Sequence, residues 1–202
     1  MAEHDPKFNR FLAIVLLALF IISLGAFLYS NWKAEPEHNL WATVLNALIL
    51  SLPLVLLYGA AHILISAWRE RKQTGEISRH QAKIIFWAPR IAAIVIIFFV
   101  SLFSLDVFGE RGTLLEQLGA FFLHSLPSIF MIIFLVFAWR RPVIGFAGFL
   151  LAGVVFLRFV ILGGSLAHFL LFSGPLLLIS ALFYADWRWR KPSVSAPPDT
   201  AA

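Results

Sequence analysis

Six long apolar runs, separated by short polar or charged segments, set the pattern of this chain. A helix that crosses the hydrocarbon core needs roughly 17–25 mostly apolar residues. Phe11–Tyr29 meets that requirement, interrupted by Ser23, and Trp41–Ala67 is the longest run, carrying Asn46, Ser51 and His62. Ile91–Phe108, Leu118–Ala138, Val143–Val160 and Ser165–Tyr184 complete the set, with Gly163-Gly164 a thin break between the last two. Trp41, Trp68, Trp87, Trp139, Trp187 and Trp189 stand at the edges of these runs, where indole rings favour the membrane–water interface. The pattern predicts an all-α fold: a polytopic membrane protein of six transmembrane helices, forming one domain over residues 1–191.

Two segments can stand outside the bilayer. Between Arg69 and Arg90, Ser78 and Gln81 have the spacing of a capping box. A short basic helix starting there, with Ile84, Ile85 and Phe86 on its apolar side, is expected to lie along the interface. Pro89 then suits the first turn of the third span. Residues 192–202 are mostly Pro, Ser and Ala and are expected to form a disordered cytoplasmic tail.

The basic residues orient the spans. Lys7 and Arg10 precede the first; Arg69, Arg71, Lys72, Arg79, Lys83 and Arg90 separate the second from the third. Arg140 and Arg141 join the fourth to the fifth, and Arg188, Arg190 and Lys191 follow the sixth. Thirteen of the 16 Lys and Arg residues therefore fall on one side, leaving Lys33, Arg111 and Arg158 for the other. By the positive-inside rule this places both termini in the cytoplasm of a multi-pass protein of the cell (inner) membrane. The first run, about 19 residues long, exceeds the ~7–15 of a signal-peptide core and reads as an uncleaved anchor.

Composition agrees. Hydrophobic residues make up 60% of the 202 and charged ones 13%, against nearly half and about a quarter in a soluble domain. The net charge of +5 suits loops facing an anionic leaflet and does not imply nucleic acid. With no cysteine in the chain, disulfides, thiolate metal sites and thiol nucleophiles are excluded.

The even-numbered spans share a word order. Ser51-Leu52-Pro53 precedes Ala67-Trp68-Arg69, Ser125-Leu126-Pro127 precedes Ala138-Trp139-Arg140, and Ser173-Gly174-Pro175 precedes Asp186-Trp187-Arg188. Pro and Trp lie 12 residues apart in the fourth and sixth spans and 15 in the second. Two readings stay open: three parallel helical hairpins arising by duplication, or the frequency of Pro and of Trp-Arg edges in membrane helices. Either way Pro53, Pro127 and Pro175 each remove a backbone donor and are candidate kinks, with the serine two residues earlier as a candidate hydrogen-bond partner. In the fifth span Gly145, Gly148 and Ala152 form a small-residue face for close helix packing, within the bundle or between copies.

Ionisable side chains inside spans are candidate functional groups. Residue counting places Asp106, His124, Arg158 and His168 together in the outer half of the bilayer, and Asp106 is expected to pair there with Arg158 or His124. No metal site is expected, because no histidines recur at i and i+4 and no carboxylate lies mid-membrane to orient one. No cofactor or catalytic residue is assigned, since paired intramembrane aspartates, His-Glu-x-x-His and Gly-x-Ser-x-Gly are all missing.

From Trp87 onward the chain resembles a known family. The words are Trp87-Ala88-Pro89-Arg90-Ile91-Ala92-Ala93-Ile94, Ser101-Leu102-Phe103-Ser104-Leu105-Asp106-Val107-Phe108-Gly109-Glu110, His124-Ser125-Leu126-Pro127 and Phe172-Ser173-Gly174-Pro175-Leu176. They are similar to an uncharacterised family of small prokaryotic integral membrane proteins, a domain of unknown function. The resemblance implies membrane embedding and no particular activity. The expected function is structural or accessory, through helix packing against the lipid bilayer, another copy or another membrane protein. A small transporter or channel is the alternative, and a haem-binding or redox protein the third reading.

Overall fold

A computed structural model describes residues 6–34, 39–109, 112–163 and 165–189. Arg111, Arg190, Lys191 and the tail 192–202 lie outside the described residues. The helices are α1 (Pro6–Ala34), α2 (Leu40–Thr74), α3 (Arg79–Leu102), α4 (Leu114–Ala138), α5 (Pro142–Ile161) and α6 (Leu166–Trp189). All six are long and apolar enough to cross a bilayer, the arrangement of a multi-pass membrane protein. Their ends follow local rules. Asn39 accepts from the N–H groups of Trp41 and Ala42 at the start of α2. Thr113 and Glu116 form a reciprocal capping box on α4, and Pro142 opens α5. Gly75, at φ 77°, ends α2 in the left-handed region.

The centre of the bundle is α6, which packs on α2, α3 and α5, while α4 closes against α3 and α5. Among the described residues α1 packs chiefly on α2, through a 2.7 Å hydrogen bond between Ser23 and Tyr58 and an edge-on Phe20–Tyr58 contact. The core joins Ala93, Ile96 and Phe99 of α3 to Met131 and Leu135 of α4, Phe149 of α5, and Leu176, Ile179 and Phe183 of α6. Lipid tails are as apolar as these side chains, so close packing and interhelical hydrogen bonds carry the association rather than the hydrophobic effect. The small-residue face of α5 provides that closeness. A Cβ on Gly145 would lie 2.7 Å from Ala138 and 2.8 Å from Phe183, and one on Gly148 would strike the Phe134 ring. Ala152 is half-buried beside the same core.

Three local expectations change. The basic segment after Ser78 is not a separate interfacial helix but the first turns of α3, because Ile85 is fully buried against Ala67 and Ala185. Pro89 consequently lies inside α3, not in its first turn. The third span leaves α-helical geometry at Leu102, and Asp106–Gly109 forms a separate 3₁₀ turn.

The prolines sit within or at the start of helical segments. Pro53 and Pro127 are inside α2 and α4, while Pro175 follows a π-helical turn, Phe169–Ser173. The Ser51 hydroxyl donates to Leu48 O and that of Ser125 to Phe121 O, whereas the carbonyls four residues before the prolines are those of Ile49 and Leu123. These serines therefore back-bond within their helices without replacing the lost proline donors. At Pro175 the backbone adjusts instead, Gly174 N–H donating five residues back to Phe169 O.

Candidate functional site

The expected outer cluster does not assemble. Asp106, His124, Arg158 and His168 are all exposed, and no ion pair or hydrogen bond joins Asp106 to Arg158 or His124 among the described residues. Asp106 lies beyond the end of α3, so nothing forces it inward. The ring of His124 bonds Ala120 O at 2.9 Å along its own helix, and the ring of His168 accepts from Ser165 N–H at the start of α6. No group of three or more His, Cys, Asp or Glu that could hold a metal ion occurs among the described residues.

The charged site that does form is at the other end of the bundle. Arg90 of α3 and Asp186 of α6 make an ion pair, Nη1 to Oδ2 at 2.9 Å, with both side chains wholly removed from solvent. Arg90 Nη1 also donates to Phe86 O one turn back, and Nη2 to Trp139 O at 3.4 Å. Trp139 is the C-cap of α4, where helix carbonyls lack intrahelical donors and the macrodipole is negative. The guanidinium thus neutralises a carboxylate on α6 and caps α4 from α3. Three rings surround it, with Cζ 3.9 Å from the centroid of Phe86, 5.8 Å from Trp139 and 5.9 Å from Phe183. Such contacts stabilise a cation more strongly where water is excluded.

The neighbours explain why the pair can be so closed. Ala138 and Ala185 are buried beside Trp139 and Asp186, so the ends of α4 and α6 carry little bulk there. Gly145 lets the first turns of α5 rest on Ala138 and Phe183. Ser180 of α6 donates to Phe146 O of α5 at 2.8 Å one to two turns away. Both charged side chains are closed off from solvent. The pair is well suited to fixing the relative positions of three helices. The sequence pattern puts Arg90 and Asp186 only at span edges and does not pair them. The signal that marks the site is an aspartate where the related words carry Ala67 and Ala138.

No curated protein and no solved structure matches the chain. Residues 78–195 match the family described as Domain of unknown function (DUF7670). That segment runs from the cap of α3 past the end of α6 and contains both Arg90 and Asp186. It is more than half of the chain, which belongs to this DUF7670 family.

Proposed function

We propose that this chain is a structural or accessory membrane protein, a fixed helical scaffold that acts through its outward helix faces on another membrane protein or on a second copy. The observation that carries the reading is the Arg90–Asp186 clasp, buried among α3, α4 and α6. A buried pair strongly penalises any motion that separates its members. The tight seats of Gly145 and Gly148 restrain α5 in the same way. The basic end, with the clasp just inside it, faces the cytoplasm of the cell (inner) membrane on the positive-inside argument. Large apolar side chains such as Ile14, Ile21, Leu45 and Leu48 on α1 and α2, and Phe122 and Phe130 on α4, face outward and are available to lipid or partner helices.

Single cysteines at Ile96, Met131 and Ile179 test this reading in proteoliposomes, with Gly75 as the exposed reference. The native chain has no cysteine to interfere. A small permeant thiosulfonate is expected to leave the core positions unmodified while Gly75 reacts to completion. Rapid modification of Ile96 or Ile179 would reveal water moving through the bundle and would replace the scaffold with the second reading, a small transporter or channel. That alternative draws on the π turn Phe169–Ser173 ahead of Pro175, because irregular helices line substrate sites in many transporters.

A further inference from the structure

At the basic end of the bundle α3 and α4 meet through the rings of Trp87 and Trp139, edge to face with centroids 6.3 Å apart. The meeting is fixed from behind. Trp87 also packs edge-on against Phe86 at 5.2 Å, and Arg90, stacked on Phe86, donates to the Trp139 carbonyl. Yet the two indoles stay 43% and 46% exposed, at the interfacial depth where such rings meet lipid headgroups. Toward the middle of the bilayer, Ile91 lies one turn further along α3 and Val136 one turn back along α4, both more than half exposed. In the other direction, Lys83 stands one turn before Trp87 on the same face of α3, and Arg140 directly follows Trp139. Both cations are exposed, and among the described residues neither has an ion pair or a side-chain hydrogen bond. Residues 77–105 and 118–185, which hold both halves of this seat, contain no Asp or Glu.

We infer that this junction of α3 and α4 seats one acidic phospholipid of the leaflet at the basic end, its phosphate met by Lys83 and Arg140 and its upper acyl chain lying on Trp87, Trp139, Ile91 and Val136. The occupant follows from charge complementarity joined to depth. Two unpaired cations, then indole rings, then aliphatic side chains repeat the order of an anionic headgroup, its glycerol backbone and its acyl chain. A soluble anion would use the cations and leave the apolar part unmatched, whereas a zwitterionic lipid would bring its own cation toward them. Because Arg90 and Phe86 already hold the two tryptophans in place, little side-chain freedom is lost when the lipid arrives. The site rests on the membrane reading of the six helices and is independent of the scaffold proposal.

Native mass spectrometry of the full chain, released from micelles doped with equal phosphatidylglycerol and phosphatidylcholine, measures the preference directly. The wild type is expected to retain one phosphatidylglycerol selectively, and equal retention of the two lipids would overturn the site. Each cation removed near an anionic headgroup is expected to weaken retention about fivefold, so Lys83→Gln loses about fivefold and Lys83→Gln/Arg140→Gln at least tenfold. Arg10→Gln/Arg188→Gln removes the same charge from exposed positions on α1 and α6 and is expected to change retention by less than about twofold. Lys83 is exposed, so its single variant keeps the test usable if the double variant melts early. Equal losses in the two double variants would reduce the effect to general surface attraction and overturn the site. Displacement of the lipid by millimolar glycerol phosphate would also overturn it, because the indoles and aliphatic side chains would then contribute nothing.

Discussion

Removing one member of the Arg90–Asp186 pair tests the clasp by the non-additivity of its two halves. Arg90→Met leaves the Asp186 carboxylate without its 2.9 Å partner in a site closed to water. Asp186→Ala leaves a guanidinium that keeps Phe86 O, Trp139 O and the Phe86 face. Two unit charges about 4 Å apart attract by ~4 kcal/mol at an effective dielectric constant near 20. Breaking one side of a buried pair typically costs ~3–5 kcal/mol. Both single variants are therefore expected to lose stability within that range, the arginine of Asp186→Ala keeping Phe86 O and Trp139 O. Replacing both members removes the uncompensated charge, and such replacements are often neutral. The double variant is expected within ~2 kcal/mol of wild type, the remaining loss arising from a small cavity beside Ala138 and Phe183. Unfolding by SDS in mixed micelles, followed by helical circular dichroism, gives all four stabilities. If the two single losses add to within ~0.5 kcal/mol in the double variant, the side chains are uncoupled and the clasp does not exist.

Other consequences are more local. Gly148→Ala puts a methyl into the Phe134 ring and is expected to lower stability by ~1–3 kcal/mol, with Phe134→Leu restoring part of the loss in the same titration. Ser180→Ala removes the 2.8 Å donor to Phe146 O between α6 and α5, and a drop of ~0.6 kcal/mol, no more than ~1.7, is expected. Single cysteines at Glu35, Arg111 and Gly164 are expected to react with an impermeant thiol reagent from outside intact cells, and those at Gly75 and Ser193 only after lysis. Labelling of both groups from one side would contradict six spans with cytoplasmic termini. Pro175→Ala supplies a donor where the π turn now ends; slower amide exchange from Phe169 to Ser173 is expected, and unchanged exchange would detach the turn from the proline.

The fold is readable because a bilayer demands uniformly apolar helices with internally paired backbones, so length and hydropathy alone mark them. The pattern misleads where tertiary contact overrides local polarity. Arg79, His80, Gln81 and Lys83 suggest a helix lying on the surface, but burial of Ile85 against Ala67 and Ala185 draws that segment into α3. The outer cluster fails for a different reason. Counting residues along a span gives depth but not rotation about the helix axis, and chemistry needs both. Asp106, His124, Arg158 and His168 share a depth by count, yet none is directed into the packed core.

Rotation is nonetheless encoded in the repeated Trp-Arg words. The residue before tryptophan is Ala67 in α2, Ala138 in α4 and Asp186 in α6, and all three are buried at the basic end while Trp68, Trp139 and Trp187 remain exposed. One register thus faces inward in each helix, and two copies fill it with the smallest apolar side chain that holds a helix. An aspartate in that register cannot escape to the interface with its tryptophan neighbour, so its charge must be met from within the bundle. Arg90, one residue past a helix-interior proline, is the cation that meets it. Asp186→Ala converts the third word into the Ala-Trp-Arg form of the other two. On its own it strands Arg90; combined with Arg90→Met it recreates a junction that α2 and α4 already tolerate. Recovery of stability in that double variant is thus expected from the register as well as from the coupling of the two charges.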